Sequence, residues 1–133
     1  MKLLLAEDGS QEMREGRTSA AFTVTVLIAN AELASAIGAA HRAGRLNRPE
    51  RDDVMSEVGR LWDAVETIDV DESLVRKAAD LSGRFGLRGY DSVHLAGLTS
   101  LPGEPVFACW DRDLRRAAAM MNYALLPPEA NPR

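Results

Sequence analysis

The stretch AAFTVTVLIANAELASAIGAA, residues 20–40, constrains the fold of this chain more than any other. It is long and apolar enough to suggest a membrane span. Yet Asn30 and Glu32 stand near its middle, and a central carboxylate is costly in a hydrocarbon layer. Its first half is rich in β-branched residues and its second half in alanine. β-Branched side chains favour the extended backbone, whereas alanine favours the helix. The segment therefore reads as a buried strand, 21–27, running directly into a helix, 28–44, with Gly44 near its end.

The same alternation continues along the chain. A short polar helix is expected at 10–16, with Ser10 placed to cap it after the turn EDGS. Pro49 opens a helix near 49–64, VETIDV (65–70) reads as a short strand, and 72–85 as a helix with Leu74, Val75, Ala78 and Leu81 on one face. GRFGLRG (83–89) reads as a helix stop and a turn; no strand precedes it, so it is not a dinucleotide fingerprint. YDSVHLAGLTS (90–100) is expected to be helical, PVFACW (105–110) a strand, 113–123 a helix, and the tail a brief strand. Strands alternating with helices imply a parallel sheet covered on both faces. At 133 residues the chain is expected to be a single α/β domain with a real core. No internal repeat or linker interrupts it.

Composition narrows the chemistry. Cys109 is the one cysteine, which excludes an internal disulfide and points to a reducing, cytoplasmic setting. No signal peptide is read at the N-terminus, where Lys2 alone precedes a leucine run and acids follow. His41 and His94 are the only histidines, so a zinc site of the usual Cys/His kind is not expected. The net charge of −4 lacks the basic excess of most nucleic-acid binders. The positive charge is nearly all arginine, with Lys2 and Lys77 the only lysines, and arginine is the better fork for phosphate oxygens.

Three acids stand near strand–helix junctions. Glu32 lies among Ala, Leu and Ile, where it is either a helix-surface glutamate or a carboxylate needing a positive partner. Asp91 heads an apolar helix, as a cap or as part of a carboxylate cluster. Asp111 follows PVFACW directly, at the carboxyl end of a strand, where ligands bind in such sheets. Of Asp111 and Asp113, one is expected to cap the next helix and the other to be free for chemistry; Asp111 is assigned to the site. His94 is a secondary candidate or a packed polar residue. Arg88 and Arg112 are candidates to meet an RNA backbone, with surface solvation as the default. Gathered together, the three acids would repel unless a divalent cation or raised pKa values relieved them. Ligands that are all oxygen suit Mg²⁺ or Mn²⁺.

AELASAI (31–37), YDSVHLA (90–96) and FACWDRDLRRAA (107–118) resemble the three later motifs of PIN-domain ribonucleases, in particular the VapC-type toxins of bacterial toxin–antitoxin pairs. The resemblance runs along essentially the whole chain, and YDSVHLA is its most specific part. It implies a three-layer α/β/α sandwich around a parallel sheet and a metal-dependent endoribonuclease. By position, Glu32, Asp91 and Asp111 match its metal-holding, catalytic carboxylates, and Cys109 fills a slot often held by threonine or serine. It also implies Mg²⁺ or Mn²⁺ as cofactor, RNA as substrate, an antitoxin protein as partner and a homodimer. The family opens with a strand that ends in a further aspartate. Here KLLLAEDGS matches the end of the helix after it, which places that strand and aspartate before Met1. Two readings stay open: an active nuclease, or an inactive PIN-like module that binds RNA or an antitoxin. MKLLLAEDGS also resembles the start of a response-regulator receiver, but that class needs a lysine after a late strand and none follows Lys77.

Overall fold

The computed structural model describes residues 10–128. The expected turn at EDGS and the resemblance of KLLLAEDGS to a helix end fall almost wholly outside them. The chain divides into two compact units, Met1–Ile68 and Asp69–Arg133.

The first unit holds α1 (Ser10–Ser19), β1 (Val24–Val26), α2 (Ala29–Arg42), α3 (Arg48–Asp63) and β2 (Glu66–Ile68). β1 and β2 pair in parallel, with Val24 opposite Glu66 and Val26 opposite Ile68. Parallel strands cannot be joined by a tight turn, so α2 and α3 form the crossover. The apolar run at 20–40 is split as its composition requires, into a strand and a helix. Ile37 and Ala40 of α2 close a core with Leu46 and Val58, against which Leu33 and Val54 pack. α3 starts sharply because Asn47 accepts from the Glu50 backbone N–H while the Glu50 carboxylate accepts from that of Asn47. That reciprocal pair satisfies two otherwise free donors.

The second unit holds α4 (Glu72–Phe85), α5 (Gly89–Thr99), β3 (Val106–Ala108), α6 (Arg112–Met120) and β4 (Ala124–Leu126). β3 and β4 are parallel, with α6 as their crossover. α4 packs against α5, and α5 against α6. α5 buries Ser92, Leu95, Ala96, Gly97 and Leu98. The hydroxyl of Ser92 donates to the Gly89 carbonyl at 2.7 Å, which makes its burial tolerable. α4 contributes Leu74, Ala78 and Leu81. Val75, expected on the same face, is instead 48% exposed. It lies one residue past Leu74, and the helical step of about 100° carries it off the narrow buried stripe.

The described strands form two parallel pairs, β1–β2 and β3–β4. The α/β reading with helical crossovers therefore holds. The ladders are three residues each, shorter than the runs that feed them.

Leu95 is fully buried. Leu95→Ala should cost about 2–5 kcal/mol, the range for such truncations, whereas Val75→Ala should stay within about 0.5 kcal/mol. Urea unfolding of the two variants beside the parent chain checks both.

Candidate functional site

Three side chains of the second unit meet at the N-termini of two helices. α4 ends at Gly86, whose φ of 66° is left-handed. That conformation suits glycine, which has no Cβ to clash. Leu87 then buries its side chain, and Arg88, in extended conformation, starts α5. Arg88 cannot cap the helix, because a guanidinium only donates. Its side chain turns instead to two carboxylates. Nε donates to Oδ2 of Asp91 at 2.8 Å, and Nη2 donates to Oδ2 of Asp111 at 3.3 Å.

Asp91 is therefore not the cap considered for it. It is the third residue of α5, in the first turn, where the positive end of the helix dipole still favours its charge. Its side chain is only 17% exposed, while that of Arg88 is 79% exposed. The shielded acid is thus held by an arginine reaching in from solvent. The hydrogen bond to Asp91, and then the charges of Asp91 and Asp111, push the Arg88 pKa above the usual arginine value.

Asp111 has two tasks. Its Oδ1 accepts from the backbone N–H groups of Asp113 and Leu114, at 3.1 and 2.9 Å, and so caps α6. Its Oδ2 faces Arg88. The expected division of labour, with one aspartate capping and the other free for the site, is corrected: one residue does both. Asp113 lies in the first turn of α6, with the Arg112 and Arg116 guanidinium groups at 3.6 and 3.7 Å. These are exposed pairs of small energetic weight. Arg112 is 93% exposed, as a side chain on a solvated helix face would be.

Arg115 is a structural residue, as its hydrogen bonds make plain. Its Nη1 donates to the Cys109 carbonyl and its Nη2 to the Pro127 carbonyl, both at 2.8 Å. It ties together the segments that leave β3 and β4. Beside it, the Cys109 thiol lies 3.9 Å from the Asp111 carbonyl oxygen. Burial pushes its pKa up; the charges of Asp111 and Asp91 add to this, and Arg115 opposes them.

His94 is half-buried on α5, one turn beyond Asp91. Glu32 belongs to the first unit, in the first turn of α2, and is exposed. Desolvation therefore does not call for a cation there, which removes the physical argument made from its apolar neighbours. Among the described residues of either unit, no three His, Cys, Asp or Glu side chains form a group able to hold a metal ion. Arg88 was a minor candidate in the sequence, yet it organises the pair. The sequence signal that could have found it is its position three residues before Asp91 on the start of a helix, the spacing of an i,i+3 ion pair. No family model matches the chain, and no curated protein matches it.

Two measurements follow from this geometry. Asp111→Asn retains an oxygen for the cap, so it should leave stability nearly unchanged, whereas Asp111→Ala should lose about 0.5–2 kcal/mol, read by thermal unfolding. Alkylation of Cys109 should show a pH midpoint above the value of about 8.5 for a free thiol. Between the unfolded and the raised folded pKa, the folded chain keeps a proton that the unfolded chain has released. Stability from this group therefore falls as pH rises through that window.

Proposed function

We propose that this chain is a PIN-like, metal-dependent endoribonuclease, acting as the toxin of a toxin–antitoxin pair and built as an α/β/α sandwich. The observation that carries the reading is the convergence of Asp91 and Asp111 on one positive charge at the N-termini of α5 and α6. Two acids some twenty residues apart, both resembling family site positions, share the Arg88 guanidinium here.

Asp91 and Asp111 are donors of the type that the metal implied by the family takes. Both ligands are carboxylates, and hard oxygen donors suit Mg²⁺ or Mn²⁺. Each already turns one oxygen toward a shared positive group. When bound, the ion would activate water and offset charge growing on the phosphate oxygens. The protein's part is to aim the ligands. Asp111 is held by the two backbone N–H groups that its other oxygen accepts from, so the orientation of Oδ2 is set by α6 itself. Asp91 is shielded on a well-packed helix. A role for Arg112 toward RNA rests on the resemblance alone, since its side chain lies beside Asp113 on a solvated face. The role of Glu32 as a third ligand rests on the resemblance alone, as do the antitoxin partner and the homodimer.

A second reading has two observations in its favour. Arg88 engages both carboxylates and Asp111 spends an oxygen on its cap, as expected of a PIN-like module that binds RNA or an antitoxin without cutting.

Incubation of the purified chain with single-stranded RNA and Mg²⁺ or Mn²⁺ decides between them. The nuclease reading expects cleavage that chelator abolishes, and that Asp91→Asn reduces by about 10²-fold or more, the scale set by losing one group that stabilises transition-state charge. Glu32→Gln tests the third ligand in the same assay. RNA or antitoxin binding without metal-dependent cleavage would leave the binding module; cleavage that survives Asp91→Asn would remove these residues from the chemistry.

A further inference from the structure

Resting on the reading of Asp91 and Asp111 as metal ligands, we propose that Arg88 is the internal counter-ion of that pair, and that a divalent cation must displace its guanidinium to bind. The argument begins with charge. Two carboxylates meet here, and one guanidinium offsets only half of their charge. Asp113, close by in the first turn of α6, is met by Arg112 and Arg116, so those arginines are turned to another acid. A dication would balance the Asp91–Asp111 pair in full, whereas arginine leaves it negative. Divalent ions are the largest charges such a site can hold, and they invert its local electrostatics.

Geometry supports displacement over coexistence. Arg88 directs its donors at Oδ2 of Asp91 and Oδ2 of Asp111. The other oxygen of Asp111 is taken by the cap, so Oδ2 is the atom that Asp111 has to offer an ion. A cation that takes this oxygen takes it from Arg88. The two contacts differ in length, and the longer one, to Asp111, is the weaker. The guanidinium can also leave at little cost. Its side chain is 79% exposed, and it makes no capping hydrogen bond to α5. Asp91 and Asp111, by contrast, are anchored by helix position. The acids are held by the helices that carry them and the arginine reaches in from solvent, which is the arrangement of a gate whose closed state is an ion pair. Metal affinity is thereby set below that of the bare carboxylate pair, and the site is kept neutralised in part when no metal is present.

The test is calorimetric titration of Mn²⁺ into the full-length chain without RNA, for the parent, Arg88→Gln and Asp91→Asn. The proposal expects Arg88→Gln to bind Mn²⁺ at least about tenfold more tightly than the parent, since a competitor has been removed, while Asp91→Asn binds much more weakly. It also expects the Arg88→Gln chain to unfold at a lower temperature without metal and to gain more from Mn²⁺ than the parent does, since an ion that binds only the folded state stabilises it. Arg88→Lys should lie between, because a single ammonium lacks the fork that reaches two carboxylates. Equal or weaker Mn²⁺ binding by Arg88→Gln, with parent binding that depends on Asp91, would overturn the counter-ion role and leave the metal-site reading standing. Mn²⁺ binding that ignores Asp91, or no binding by any variant, would overturn both.

Discussion

The guanidinium of Arg88 is the interaction on which the candidate site depends, because without it two carboxylates would face one another across the starts of two helices. Neither acid is placed by attraction to the other. Asp91 is carried by α5, whose buried residues lock its position in the core of the second unit. Asp111 is carried by the start of α6, the crossover that parallel pairing of β3 and β4 requires. Their closeness is a product of packing that electrostatics alone would oppose. The helix dipoles lessen that opposition, and the arginine lessens it further.

The same residues show how one side chain serves stability and chemistry together. Asp111 gives one oxygen to the backbone of α6 and the other to Arg88. Any ligand role for Oδ2 therefore inherits its aim from the helix cap. Arg115 plays a comparable part beside Cys109, joining the carbonyls of Cys109 and Pro127. Runs of arginine invite a phosphate-binding interpretation. Here one member of the run ties strands together, and two are paired with Asp113 on the surface.

Much of the architecture was legible. The bounds of α4 match the expected 72–85 segment, since Asp71 caps one end and left-handed Gly86 closes the other. Both are local signals, readable without the rest of the chain. The first strand was placed by its β-branched content, although the paired residues are fewer than the run suggested. Val75 was misplaced because apolarity was read as burial, whereas a helix with a narrow buried stripe leaves its flank in solvent. The cap of α6 fell to Asp111, the residue expected to be left free by it, for a related reason. Cap identity depends on where the first helical turn begins, and a shift of two residues moves it.

What the sequence by itself determined is the alternation of strands and helices, the parallel pairing that such alternation demands, and the acids at the junctions. These follow from backbone preferences and periodicity, which act over a few residues. Only the tertiary structure decided that Asp91 and Asp111 share one arginine, that Asp111 divides its oxygens between a cap and an ion pair, and that Glu32 is solvent-exposed. Those outcomes depend on side chains distant along the polypeptide coming within a few ångströms, and on which surfaces the packing leaves to water. No local pattern encodes either.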